Sequence, residues 1–316
     1  MNRLLSFSIL LLVTCSTFAA EPEQGFRCTQ IQDPIDRLSC YDSVFLKPET
    51  VEVASHLSVL ENRELSEREV RDNWFSITPH RPNYILPATY NESSDFSNYG
   101  TIGDLFSDTE IKFQLSLKTL LFENLWKDSS LTAAYTQQSF WQLYADDEIS
   151  APFRETNYEP EIIWSFPLDY EILGFKAREL SFSFVHQSNG RSRPLSRSWN
   201  RVSSQLLLDR GNLAVLAKVW SRTDEPDLDD NPNIEEFMGR AQFGVAYRYH
   251  DHTFVMNVKN SLGSDYRSGV ELNWLFPLSH HLKGFVQIYS GYGENLIDME
   301  DKSNRIGIGV ALTDWL

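Results

Sequence analysis

From Tyr84 onward the chain alternates apolar and polar residues, and this period of two constrains its fold more than any other feature. Side chains at i and i+2 of an extended chain share a face. In Ile111-Lys-Phe-Gln-Leu-Ser-Leu-Lys118 the odd positions are apolar, while Lys112, Gln114, Ser116 and Lys118 form the other face. Phe254, Met256 and Val258 alternate with Thr253, Asn257 and Lys259. Val270, Leu272, Trp274 and Phe276 alternate with Glu271 and Asn273. The last segment sets Ile306, Ile308, Val310, Leu312 and Leu316 against glycines. Clusters of Gly, Pro, Asn and Asp separate about twelve such segments, each near the length that crosses a bilayer at a tilt.

The first twenty residues read as an export signal. Arg3 supplies the positive start, Leu4 to Val13 the apolar run, and Thr17-Phe-Ala-Ala20 the small-residue cleavage site. Leu12-Val-Thr-Cys15 fits a lipoprotein box poorly, because threonine precedes the cysteine. Beyond this leader no apolar run reaches helix-spanning length, and the mean hydropathy is negative. Those facts exclude a helical membrane protein and leave a barrel open, since alternating strands average to mildly polar. A formal net charge of −16 argues against a nucleic-acid partner.

Residues 21–80 differ from the rest. They hold Cys28 and Cys40, for which an oxidising compartment favours a bridge, and the charged, helix-compatible run Glu61 to Arg71. This segment reads as a periplasmic extension, either a short helical module or mobile until bound. Residues 81–316 read as the barrel. Lys112, Lys118, Arg201, Gln205, Lys218, Arg248, Lys259 and Glu271 would face its interior; on a soluble sandwich they would be a solvated surface. The leader, the strand count and the Trp and Tyr residues near strand ends favour an all-β, twelve-stranded antiparallel transmembrane barrel.

One hairpin breaks the rule that the outer face is apolar. Leu180, Phe182 and Phe184 share a face with His186 and Ser188. On the next strand Asn200 shares its face with Val202, Leu206 and Leu208. The intervening loop, residues 189–197, makes the strands antiparallel neighbours, so His186, Ser188 and Asn200 can meet on the exterior. Serine becomes a nucleophile when a base accepts its proton, and the base works best when a third group fixes its tautomer. Gly190 permits a turn whose backbone N–H could bind an oxyanion. A polar group facing lipid is expensive, which raises the weight of a functional reading.

His186-Gln-Ser-Asn-Gly-Arg-Ser-Arg-Pro-Leu-Ser-Arg-Ser-Trp-Asn-Arg201 resembles the active-site signature of bacterial outer-membrane phospholipase A. The resemblance extends to Pro152–Pro160, Asp230-Asn-Pro232, Tyr289–Asp298 and the final strand, nearly everything after about residue 75. It implies a twelve-stranded barrel that hydrolyses phospholipid and lysophospholipid acyl esters, with both A1 and A2 activity. Ser188 matches the nucleophile, His186 the base and Asn200 the orienting residue, with backbone amides at Ser188 and Gly190 in the oxyanion hole. It also implies calcium, held by the backbone oxygen of Arg191, the hydroxyl of Ser196 and Ser150 of a second copy.

Asp230, in the acidic loop Asp224 to Asp230, matches a further calcium position, but Arg193 stands where the family often has aspartate. A cation there cannot be a ligand and would repel calcium. Activation by homodimerisation is implied as well. Gln137, on the face of Leu131, Tyr135 and Trp141, supports it independently; the resemblance implies that Gln137 lies in the dimer interface, with Leu115 and Leu117 on the same flat side. Phospholipid and outer-membrane lipid are the expected partners. The competing readings are a catalytically silent barrel, acting as a channel or structural protein, and a soluble secreted sandwich hydrolase.

Overall fold

The computed structural model describes residues 28–45, 57–71, 76–223, 229–260, 262, 267–279 and 282–313. The expected export signal, Cys15, acidic residues 224–228 and Leu316 lie outside the described residues. The chain divides into two compact units, Met1–His56 and Leu57–Leu316. In the first, helix α1 (Pro34–Phe45) begins where Asp33 Oδ1 accepts from the N–H groups of Ile35 at 2.8 Å and Asp36 at 3.1 Å. Aspartate before the helix and proline at its first position are a favourable start. Cys28 and Cys40 form a disulfide.

The second unit opens with helix α2 (Val59–Arg71), and a capping box starts it. Ser58 N–H donates to Glu61 Oε2 at 2.9 Å, and Glu61 N–H donates to Ser58 Oγ at 3.3 Å. Strand β1 (Ile77–Pro79) pairs with β3 (Thr109–Phe122), as does β2 (Asn83–Asn91). The break at residues 80–82 separates two pieces of one barrel strand. The wall continues through β4 (Ser130–Trp141), β5 (Phe153–Ile172), β6 (Phe175–Ser188), β7 (Ser198–Arg210) and β8 (Leu213–Arg222). It ends with β9 (Ala241–Tyr249), β10 (His252–Asn260), β11 (Ser268–Ser279), β12 (Leu282–Gly291) and β13 (Ser303–Thr313). Each strand is antiparallel to its neighbours, and β13 pairs back onto β2, closing a twelve-stranded barrel. Closure excludes the sandwich reading. No helix among the described residues is long and apolar enough to cross a membrane.

Alternation sorts the side chains. Phe182, Phe184, Val202, Phe243, Phe254, Leu272, Ile288 and Ile306 are exposed on the outer wall. Lys112, Lys118, Gln205, Lys218, Lys259 and Glu271 line an internal cavity of about 1030 Å³. Arg201 is buried and pairs with Glu159 at 3.1 Å. Two-residue turns join β5 to β6, β7 to β8 and β9 to β10, while longer loops occupy the other end. In outer-membrane barrels the longer loops are extracellular and the short turns periplasmic.

Packed elements sit at both ends of the lumen. At the turn end Val59 and Leu60 of α2 pack with Ala214, Ala246 and Val255. Ser58 Oγ bonds Asp209, Glu61 pairs with Arg178 at 2.7 Å, and Glu67 pairs with Lys118 at 2.8 Å. These contacts group α2 with the barrel strands in the compact unit Leu57–Leu316. At the loop end Trp199 packs with Leu296, Met299 and the residues Ile234, Phe237 and Met238 of the short helix α3 (Ile234–Met238).

Beneath that lid lies a buried ionic network. Arg154 binds both oxygens of Glu110, at 2.8 and 2.9 Å, and also bonds Asp298. Arg305 bridges Glu110 at 2.9 Å and Glu294 at 3.0 Å, and Lys112 reaches Glu294 at 2.9 Å. The fully buried Phe140 ring has all three cations 5.0–5.3 Å from its centroid. Removing one member of such a network leaves buried charge uncompensated. Arg154→Ala should therefore destabilise the barrel by about 3–5 kcal/mol, read as a lower urea midpoint for loss of the folded band on gels. An unchanged midpoint would show that the network adds nothing to stability.

Candidate active site

Strands β6 and β7 build the site. Their register sets His186 opposite Asn200 and Ser188 opposite Ser198, while Tyr158 of β5 lies opposite Ser188 on the other side. Consecutive residues point to opposite faces. Val185, Gln187 and Asn189 are buried toward the lumen, and His186 and Ser188 are half-buried on the outer wall with exposed Phe182 and Phe184. Gln187 anchors the inner face, its Oε1 accepting from Trp199 Nε1 and an Arg201 guanidinium N–H, both at 2.9 Å.

On the outer face His186 Nδ1 lies 2.8 Å from Asn200 Oδ1. An amide oxygen only accepts, so Nδ1 carries the proton and Nε2 keeps a lone pair. That leaves a base on the face that Ser188 shares. The Asn200 backbone is held in turn by the residue that follows β8, since its carbonyl accepts from Thr223 N–H at 2.9 Å.

The connecting loop turns at Gly190, whose φ is +65°. A Cβ there would lie 3.1 Å from Tyr158 Cε2, so both backbone and space select glycine. The Arg191 guanidinium donates to the carbonyls of Phe153 at 3.0 Å and Arg154 at 2.6 Å. Arg193 Nε donates to Asp230 Oδ1 at 2.7 Å. A hydroxyl hydrogen bond from Ser196, and beyond it the Arg193 and Arg197 charges, hold the Asp230 carboxyl below the usual carboxylate range. Ser196, Arg193 and Asp230 thus form one cluster. Ser150 lies exposed on a different loop, between β4 and β5.

A family model described as Phospholipase A1 matches residues 60–312. The chain belongs to the phospholipase A1 family. Similar family members include the phospholipase A1 of Proteus vulgaris, 40% identical over 77% of this chain and 83% of its own. A putative phospholipase A1 of Neisseria meningitidis serogroup B is 36% identical over 97% of this chain and 95% of its own. Among solved structures, outer membrane phospholipase A from Escherichia coli superposes with a TM-score of 0.73 at 36% identity, covering 77% of this chain and all of that one. The Salmonella typhi outer membrane phospholipase, a dimer with bound calcium, gives 0.72 at 36% identity over 77% of this chain and 94% of its own. On this membership the protein is a phospholipase, and its barrel lies in the bacterial outer membrane.

Within the family frame the donor set can be tested against a hard cation. Among the described residues no group of three or more His, Cys, Asp or Glu is arranged for a metal ion. The oxygens at hand are the Arg191 carbonyl and the Ser196 hydroxyl, the type calcium prefers. Asp230 is committed to Arg193 and so is not a free ligand. Sequence reasoning missed Asn189 and Glu155, buried residues beneath the loop, because its attention followed the outward face. Gly190→Ala should cost about 1–2 kcal/mol of stability, with Gly190→Asn costing less because asparagine tolerates positive φ. Equal urea midpoints for wild type and Gly190→Ala would contradict the strain argument.

Proposed function

We propose that the protein hydrolyses acyl esters of phospholipids and lysophospholipids through Ser188, His186 and Asn200 on the barrel exterior, with calcium as cofactor and homodimerisation as activator. The observation that carries this reading is the 2.8 Å contact between His186 Nδ1 and Asn200 Oδ1 on the face that Ser188 shares. His186 Nε2 takes the Ser188 hydroxyl proton as Oγ attacks the ester carbonyl. Asn200 holds the imidazolium that results, and the N–H groups of Ser188 and Gly190 meet the developing oxyanion. His186 then protonates the departing glycerol oxygen and, in the second half, activates water against the acyl-enzyme. The site stands at the loop end of the barrel, where outer-leaflet ester groups lie near the headgroup boundary.

The Arg191 carbonyl, the Ser196 hydroxyl and Ser150 of a second copy would hold calcium, which would supply positive charge beside the developing oxyanion. The outer wall supports the dimer reading. Leu115, Gln137, Tyr158 and Ser188 stand in register across four strands, so a copy docked on Leu115 and Gln137 would approach the hairpin. Leu115 is 44% exposed there. In the single chain Gln137 bonds Tyr135 at 3.1 Å and Ser139 at 3.2 Å, which satisfies its amide until a partner arrives. The helix α2 packed at the turn end and the Trp199 cluster at the loop end work against an open channel.

Ser188→Ala should lower turnover of a phospholipid in detergent, with calcium present, by about 10⁴-fold or more. Retained turnover would remove Ser188 from the reaction. Arg193→Asp frees Asp230 and adds a carboxylate, so calcium should bind about tenfold tighter, a gain of about 1.4 kcal/mol, by titration calorimetry. Identical calcium affinity would show that Arg193 has no influence on the metal.

A further inference from the structure

The hairpin loop is organised by a side chain that touches neither lipid nor, on the reading above, substrate. Asn189 lies between Ser188 and Gly190, is 4% exposed and points toward the lumen. Its Oδ1 accepts from the backbone N–H groups of Arg191 at 3.3 Å and Arg197 at 3.0 Å. Its Nδ2 donates to the Leu195 carbonyl at 2.8 Å, and its own N–H donates to the Arg197 carbonyl at 3.0 Å. One amide therefore ties both limbs of the loop together. Few other side chains could do this, because the geometry needs two acceptor directions and a donor on one short arm.

Beneath it lies Glu155, whose side chain is wholly buried on β5. Its Oε1 accepts from Asn157 Nδ2 at 2.6 Å, and its Oε2 faces Asn189 Nδ2 at 3.5 Å and Arg191 Nε at 3.6 Å. Asn157 in turn accepts from Leu296 N–H at 3.1 Å, which joins this base to the loop-end lid. The contact to Asn189 is at the long limit for a hydrogen bond, but it is buried, where water screens a carboxylate poorly.

We propose that Asn189, seated on Glu155, is a positioning residue that sets the backbone of Ser188 and Gly190 and the oxygens of Arg191 and Ser196 for catalysis. This rests on the reading that Ser188 attacks the acyl carbonyl. Barrel closure alone does not demand such an amide, since the strands on either side are already paired. What it adds is the shape of the nine residues between them, where small displacements are costly to rate.

The test uses the full-length protein in detergent with calcium, comparing Asn189→Ala, Asn189→Asp, Glu155→Gln and the double Glu155→Gln/Asn189→Asp variant. Rates are normalised to folded barrel. Asn189→Ala should lower kcat by on the order of 100-fold with KM within about twofold, and should slow Ser188 modification by a small organophosphonate in parallel. Asn189→Asp replaces the amide donor facing Glu155 with a second carboxyl group. In the double variant the glutamine amide that replaces the Glu155 carboxylate can donate to the new aspartate, so about tenfold of the loss should return.

A merely structural role would change the folded fraction and leave kcat per folded molecule unmoved. Wild-type kcat in Asn189→Ala, or a double variant no better than Asn189→Asp, overturns the inference. If Asn189→Ala does not fold, the comparison of Asn189→Asp with the double variant decides. Activity in Ser188→Ala would overturn the underlying reading first, whereas an inactive Ser188→Ala beside unaffected Asn189 variants removes this inference alone.

Discussion

Inside a bilayer no water is available to satisfy a backbone N–H or C=O, so strands that cross it must pair on both sides and close. Closure between β13 and β2 meets that demand here, and with it every strand acquires one lumenal and one lipid face. The candidate hairpin depends on this division. Val185 and Gln187 of β6, and Asn189 just past its end, are buried toward the lumen, while His186 and Ser188 come outward between them. The groups that anchor the site and the groups assigned to chemistry are thus successive residues of one hairpin. A shift of one residue in the β6–β7 register would exchange them.

The interior shows how an aqueous-looking composition becomes a rigid support. Glu110, Glu294 and Asp298 balance Arg154, Arg305 and Lys112 around Phe140, just below the cluster that includes Trp199. A second group, Glu159 and Glu161, is met by Arg201 at 3.1 Å and Lys218 at 3.8 Å nearer the middle of the barrel. Breaking such a pair leaves a buried charge uncompensated, which is costly. The second group ties β5 to β7 and β8, the strands on either side of β6 and next to Asn200.

Much of this was legible in the residues because a period of two is local. The outer positions of β10, β11 and β13, and the inward Lys112, Lys218 and Glu271, follow from alternation alone. So does the meeting of His186 with Asn200, once residues 189–197 are read as a hairpin loop. Contacts between distant segments were not legible. The Ser58 and Glu61 capping box can be read from spacing, yet nothing local tells that Ser58 bonds Asp209 and Glu61 pairs with Arg178. Arg193 was recognisable as out of place for a calcium ligand, but its pairing with Asp230 needed the fold of two loops.

The central claim is that the outer face of the β6–β7 hairpin carries the reaction. Its most direct measurement is peptide mapping by mass spectrometry after treatment of the folded, calcium-loaded protein with a long-chain alkyl sulfonyl fluoride. The expected result is a single sulfonyl adduct on Ser188, loss of activity in step with labelling, and labelling that collapses in His186→Ala. An adduct on another residue, or full activity in protein labelled completely at Ser188, would contradict it.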